Sequence, residues 1–352
     1  MTPLPAALIY HSAYNRITQK AADSHGQSPA LTHGGHQPAD KGRRQAPRLQ
    51  LECTQRTIQE SMRTKYTLMP ALMDTCPLPP EHSRRGTNEI SITQQNRKRI
   101  LKSACPQGNL SNFLNKIDLF HAKRLFVEEN HKFIYCEVPK VGCSNWKRII
   151  FLLKTNISVR ANYIDHEAIH STNFIKRLSD FPPEQQQLML QKYTKVMFTR
   201  DPLQRMVSAY RDKFLHSGGY YGGHIANRIK LMFRKKEDQS NDNVSFEEFV
   251  RYLIQQNPKN MDIHWMPMHQ LCDPCNINYD ILGKFTTLKT DSDYVLKVIG
   301  APASVRYPDI KQYNESRTDE KISEDYLSKL PLPMLERLAQ IYKLDYILFD
   351  YR

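Results

Sequence analysis

No run of 18 or more consecutive apolar residues occurs in the 352-residue chain, and the N-terminal PLPAALIY is too short for a membrane span or a signal h-region. As written, the sequence shows no membrane anchor. Acidic charge is also in deficit: 36 Asp and Glu face 50 Lys and Arg, a formal charge of +14. Such an excess calls for a polyanionic partner. Fourteen Lys and Arg against seven Asp and Glu lie in the first hundred residues, so half of the excess belongs to the remaining 252 and the basic character is not only a tail effect. Zinc-finger spacing, an RNP-like aromatic signature and a basic zipper are all missing, which sets aside the usual nucleic-acid readers and gives an expectation of no nucleic-acid partner. Sulfated or carboxylated glycans and nucleotides with several phosphates remain as the anions to consider. The G-x-x-x-x-G-K-[ST] spacing is absent too, which disfavours ATP or GTP hydrolysis of the usual kind. Seven cysteines in this length form no dense framework, and no internal repeat is visible.

Residues 1 to 95 are rich in Gln, His, Ser, Thr, Pro and Arg without sustained periodicity. They read as a disordered or stem-like segment that cannot bury enough apolar surface to offset its ordering entropy. A folded domain is expected from about residue 110 to 352. Within it, two strand-turn-helix units stand out. Phe133 to Val138 reads as a buried strand, Pro139 to Cys143 as a loop and Ser144 to Leu153 as a helix, with Trp146, Ile149, Ile150 and Leu153 on one face. Lys195 to Thr199 is a second strand, Arg200 to Pro202 the turn, and residues 203 to 214 a helix with Leu203, Met206, Val207 and Tyr210 on its stripe. Pro202 suits the first helical turn, where its missing N–H costs nothing. Tyr279 to Leu288 reads as a third strand, and SFEEFVRYLI and LPMLERLAQIYKLDYILF as amphipathic helices. Strands interleaved with helices predict an α/β fold with a mainly parallel sheet flanked by helices.

A strand that feeds a tight loop into a helix leaves backbone N–H groups converging above the sheet edge, a geometry suited to phosphate or sulfate. In the first unit Gly142 allows close backbone approach, Lys140 adds a positive charge, and Ser144 and Asn145 add donors. An ordinary βα turn with a solvated lysine explains these local residues equally well. Arg200 shifts the balance. It stands at the end of a second strand, with Arg205 and Ser208 one turn apart on the following helix, and two anion-directed strand ends suit a nucleotide with separated phosphates.

The pair PKVGCSNWKR and RDPLQRMVSAYRDKF, followed in order by IHWMPMHQLCDPC, YDILGKF and LDYILFDY, resembles the Golgi carbohydrate sulfotransferases of the HNK-1 family. Within it the likeness is to the chondroitin, dermatan and N-acetylgalactosamine 4-O-sulfotransferases, and it runs from about residue 120 to the C-terminus. The resemblance implies a P-loop-like sulfotransferase fold, 3′-phosphoadenosine 5′-phosphosulfate (PAPS) as sulfuryl donor, no metal, and a glycan acceptor carrying N-acetylgalactosamine. It maps the 5′-phosphosulfate loop onto Pro139, Lys140, Val141, Gly142, Cys143, Ser144 and Asn145. The 3′-phosphate site falls on Arg200, Asp201, Pro202, Leu203, Gln204, Arg205, Met206, Val207 and Ser208. Lys140 with the loop N–H groups is then assigned to the leaving phosphate, and Arg200 with Ser208 to the 3′-phosphate. Relatives are type II Golgi membrane proteins with a lumenal catalytic domain, although no anchor is visible here. A non-catalytic glycan-binding homologue is the alternative.

An acceptor hydroxyl calls for a general base, and imidazole suits the task near neutral pH. His166 and His170, in YIDHEAIHSTNF, lie in a segment that resembles the family's His-containing stretch. His170 is the favoured base, with His264 competing. Four N-x-[ST] sequons, at Asn109, Asn156, Asn243 and Asn314, are glycosylation candidates in a secretory compartment. Cys272 and Cys275 form a single C-x-x-C. Zinc would need two more ligands, and Cys143 lies in the anion loop; the pair comes too late in the chain for a thioredoxin-like dithiol. A structural disulfide in an oxidising lumen is expected there.

Overall fold

A computed structural model describes residues 86–105, 117–157, 159–171, 175–216, 218–235, 242–310 and 316–351. Its centre is a four-stranded sheet in the order β1-β2-β3-β4, formed by Leu125–Glu128, Phe133–Cys136, Thr194–Thr199 and Ile281–Lys284. β1 and β2 make an antiparallel hairpin, while β2, β3 and β4 run parallel, with Tyr135 opposite Val196 and Val196 opposite Ile281. All but the first residue of β3 and the last of β4 are buried, as parallel strands covered on both faces should be. The hairpin turn is held by the Glu128 carboxylate, which accepts from the backbone N–H of Asn130 and His131 at 3.1 and 2.7 Å.

The helices that matter for the site are α1 (Gly86–Ala104), α2 (Cys143–Thr155), α3 (Pro202–Tyr210), α4 (Phe246–Ile254), α5 (Leu288–Val298) and α6 (Leu332–Phe349). α2 follows β2 and α3 follows β3, giving the two strand-turn-helix units read from the sequence. Trp146 on α2 is fully buried among the rings of Phe133, Tyr135, Phe198 and Tyr307, with centroids 5.3–5.8 Å away. Offset and tilted ring contacts of this kind fix the helix against the sheet beyond area burial alone. On α3, Asp201 caps the start by accepting from the Gln204 N–H at 2.8 Å, and Pro202 occupies the first turn.

Several sequence expectations are corrected. The stem-like reading of residues 1–95 lies outside the described residues except for its last ten, which begin α1. This helix covers the outer edge of β4: the Gln94 side chain accepts from Leu282 N–H at 2.9 Å and donates back to Leu282 C=O at 3.1 Å. A free strand edge would invite pairing with another chain, so the cover matters. The third strand does not run from Tyr279 to Leu288 but stops at Lys284. Beyond it the Asp291 carboxylate accepts from the Lys284 N–H at 2.9 Å and the Thr287 hydroxyl at 2.5 Å, turning the chain into a 3₁₀ turn and then α5. Cys272 and Cys275 are both in disulfides, though not with each other: Cys105 bonds Cys275 and Cys136 bonds Cys272. One bridge ties the end of α1 to the segment before β4, and the other ties β2 to that same segment. Cys143 is the free cysteine among the described residues. No helix among them is long and apolar enough to cross a membrane.

Candidate active site

The loops after β2 and β3 open onto one cavity of about 340 Å³. From the first loop come Pro139, Lys140, Gly142, Cys143, Ser144 and Asn145; from the second unit come Arg200 and Ser208. Gly142 has φ +92° and starts α2, and its carbonyl accepts from Asn145 and Trp146 N–H at 3.1 and 3.2 Å. The helix start therefore leaves the N–H groups of Cys143 and Ser144 without intrahelical acceptors. Lys140 also lies in the left-handed region, at φ +70°.

Arg200 joins the two loops. Its guanidinium donates to the Lys140 carbonyl at 3.0 Å and to the Thr318 carbonyl, and stacks 4.1 Å over the Phe285 ring. Burial pushes its titration down to about 10, so it remains a cation at neutral pH. Its Nε is buried with no hydrogen-bond partner, a donor that an incoming anion would satisfy. Burial also lowers Lys140, against the pull of Asp212, whose carboxylate lies 3.1 Å from Nζ.

The remaining residues of the two motifs do not face the cavity with their side chains. Val141 is fully buried in the core, and Leu203, Met206 and Val207 form the inner stripe of α3. Asp201 is spent on the cap, with Pro202 and Gln204 in the same first turn. Arg205 is buried, and its guanidinium donates to the carbonyls of Ile263, His264 and Met266 at 2.8–3.2 Å. It clamps a neighbouring loop and does not line the cavity.

His170, at the end of the short helix His166–Ser171, meets the cavity at its exposed rim. Its Nε2 lies 2.9 Å from Ser144 Oγ and its Nδ1 3.1 Å from Lys147 Nζ. Lys147 in turn pairs with Glu137 at 2.5 Å. Desolvation of the inner ring edge and the adjacent Lys147 push His170 well down in pKa, so the ring is neutral. Burial alone would raise Glu137, but Lys147, Arg177 and Arg124 outweigh it and hold the carboxyl at about 2. His166 also lines the cavity, its ring 4.5 Å from His170.

Sequence reasoning missed part of the lining. Arg148 comes from the second turn of α2, Tyr307 and Arg317 from late loops, and Arg211, Asp212, Lys213 and His216 from a π-helical stretch beyond α3. The RDKF that ends the second motif reads as plain helix; a π turn leaves no hydropathy signal, though such turns gather at functional sites. Among the described lining residues, six Lys and Arg side chains face one carboxylate, Asp212. Such an open cationic cleft concentrates anions. No group of His, Cys, Asp and Glu among the described residues is placed to hold a metal ion. Of the sequons, Asn156 and Asn243 are exposed, while Asn109 and Asn314 lie outside the described residues.

Residues 123–352 match the sulfotransferase family model. The chain belongs to the sulfotransferase family. Carbohydrate sulfotransferase 8 of Mus musculus is 38% identical over 266 residues, covering 74% of this chain and 64% of that protein. Carbohydrate sulfotransferase 9 of Homo sapiens is 39% identical over 268 residues, covering 74% and 60%. Carbohydrate sulfotransferase 14 of Danio rerio is 37% identical over 273 residues, covering 75% and 72%. The chain thus spans about three fifths of the length of the first two. No solved structure matches. Both cationic loops of this sulfotransferase-family chain, and the whole sheet, lie within the matched region.

Proposed function

We propose that this chain is a PAPS-dependent carbohydrate sulfotransferase that sulfates N-acetylgalactosamine, at its 4-hydroxyl, in chondroitin, dermatan or GalNAc-terminated glycans. The observation that carries the reading is the Arg200 guanidinium bonded to the Lys140 carbonyl, which brings the two anion-directed strand ends into one cavity. The residues present fit the donor: a buried Arg200 Nε without a partner, the open N–H groups at the start of α2, and a partly buried Lys140. In this assignment Arg200 and Ser208 hold the 3′-phosphate, and Lys140 with the N–H groups of Cys143 and Ser144 holds the 5′-phosphate from which sulfate leaves. Charge builds on that phosphate oxygen as the acceptor attacks, so preorganised donors there lower the barrier. The names of the relatives support a carbohydrate acceptor, and the resemblance to the 4-O branch supports N-acetylgalactosamine. A basic cavity suits acceptors that are themselves anionic. Two disulfides and two exposed sequons favour the oxidising Golgi lumen, with the membrane attachment of the resembling enzymes.

The test uses radiolabelled PAPS with desulfated chondroitin, dermatan and GalNAc-terminated oligosaccharides, followed by linkage analysis of the product. Lys140→Ala and Arg200→Ala are each expected to lower kcat/KM by about 10²-fold or more. PAP, the desulfated nucleotide, is expected to raise Tm by mass action. Transfer that survives both substitutions would refute the site, and glycan retention without transfer would favour a glycan-binding protein.

A further inference from the structure

Three histidines besides His170 line the cavity: His166, His216 and His264. His264 sits in the loop before Trp265. Its Nδ1 lies 2.7 Å from Asp262 Oδ1, and its backbone N–H donates to that same oxygen at 2.9 Å. The Tyr221 hydroxyl donates to the other carboxylate oxygen at 2.9 Å and lies 3.0 Å from His264 Nδ1. With the tyrosine proton committed to Asp262, the carboxylate fixes the tautomer: Nδ1 carries the proton, and the Nε2 lone pair is left for the cavity. Arg205 holds the loop itself, through its bonds to the carbonyls of Ile263, His264 and Met266. The base-orienter geometry that general-base catalysis needs is therefore present. His170 lacks it, because Lys147 donates to its Nδ1, which leaves Nε2 as the protonated nitrogen facing Ser144.

We infer that His264, oriented by Asp262 and Tyr221, is the general base that takes the acceptor hydroxyl proton. The inference rests on the sulfotransferase reading above and assigns a role for which the sequence favours His170. In the step, the hydroxyl proton passes to the Nε2 lone pair while an oxygen lone pair forms the bond to sulfur. The bond from sulfur to the 5′-phosphate oxygen breaks, and its electron pair stays on that oxygen, beside Lys140. The products are a sulfate ester, PAP and an imidazolium that returns its proton to water.

The charged groups around the ring agree with this role. Burial lowers the His264 pKa, as do Lys213 from the π-helical stretch after α3 and Lys140 from the first loop, while Asp262 pulls it up. Asp212 lies between those two lysines, 3.1 Å from each ammonium. Tyr221 faces the ring edge to face, its centroid 5.3 Å away, with its own pKa raised by burial and by Asp262. Resting His264 is thus neutral, as a base must be. Lys140, on the leaving-group side in the proposed site, lines the same cavity as His264, so the imidazole shares the space in which the reacting end of the donor would sit.

The experiment compares the full chain with its His264→Asn, Asp262→Asn and His170→Asn variants. It measures kcat and KM against pH with labelled PAPS and the preferred acceptor, and PAP affinity by calorimetry. His264→Asn is expected to lower kcat by about 10²–10⁴-fold and abolish the acid limb of the pH profile, with PAP affinity held within about threefold. Asp262 is a positioning residue, so Asp262→Asn should lower kcat with little change in KM and displace the acid limb. His170→Asn should retain that limb. The assignment is overturned if the limb survives in His264→Asn and vanishes in His170→Asn, or if His264→Asn loses PAP affinity in step with activity. A wild-type chain that transfers sulfate while His264→Asn keeps its kcat sinks the base alone. A wild-type chain that neither binds PAP nor transfers sulfate sinks the donor reading as well.

Discussion

At the scale of single residues, the first loop turns on Gly142. Its φ of +92° is open to glycine and strained for any other residue, and a Cβ there would overlap the Tyr307 hydroxyl and come within 3.2 Å of a Leu288 methyl. That hydroxyl itself donates to the Gly142 carbonyl at 3.3 Å, so the glycine lets a late loop close over the start of α2. Gly142→Ala is expected to destabilise the fold by about 1–3 kcal/mol and to weaken PAP binding. Urea denaturation and calorimetry check the two effects. Adding Tyr307→Phe should recover the part due to the overlap and leave the part due to φ, so a double-mutant cycle separates them. Wild-type stability in Gly142→Ala would show that the loop does not hold this conformation. Lys140, in the left-handed region without glycine's freedom, carries strain of the kind found at ligand-binding loops.

At the scale of elements, α1 shows what a sequence can hide. β2, β3, α2 and α3 were legible because each writes its burial in apolar residues: a continuous run for the inner strands, a stripe at 3.6-residue spacing for the helices. α1 is attached through Gln94, Arg97 and Leu101, one face at i, i+3 and i+7, of which two positions are polar. A hydropathy reading cannot see a stripe written in glutamine and arginine. The same limit hid the disulfide partners, which are 170 and 136 residues apart and are set by tertiary approach alone. The loops of the site were readable from Gly142, Lys140 and Arg200. Which motif side chains reach the cavity was not, since Arg205 and Ser208 are neighbours one turn apart on α3 and only the tertiary contacts of Arg205 with the carbonyls of Ile263, His264 and Met266 draw it away. α1 also supplies a prediction. Asp291 is fully buried and accepts from Arg97 at 2.8 and 2.9 Å, as well as from Gln94, Lys284 N–H and Thr287. Removing Arg97 strips the carboxylate of its cation, so Arg97→Ala is expected to cost about 3 kcal/mol. It should also loosen α1 from β4, read as faster amide exchange at Leu282. Unchanged exchange there would mean that Gln94 alone holds the edge.

For the whole molecule, the consequence of gathering so many cations around partly buried imidazoles is acid sensitivity. His166, His170 and His264 all titrate below their ordinary value of 6.5, first because burial disfavours the imidazolium and then because of neighbouring Arg and Lys charges. As pH falls below 6.5 the unfolded chain takes up protons that the folded chain refuses, so folding stability falls with pH. The slope is at most about 1.4 kcal/mol per pH unit for each group, and less for His170, whose rim position leaves it partly screened by solvent. Glu137 acts lower down: held at about 2 against an ordinary 4.5, it contributes stability above 4.5 that is lost as pH approaches 2. Two stages are therefore expected, one beginning below pH 6.5 and a second below 4.5. Denaturant unfolding at pH 7.5, 6.5, 5.5 and 4.5 checks the first, and a flat profile across it would contradict the neutral imidazoles. General charge repulsion in a chain of net charge +14 pushes the same way, but salt tells the two apart. Added salt screens long-range repulsion between exposed charges and leaves the partial desolvation of the rings less affected. The part of the acid loss that survives high salt should therefore shrink in His166→Asn and His264→Asn.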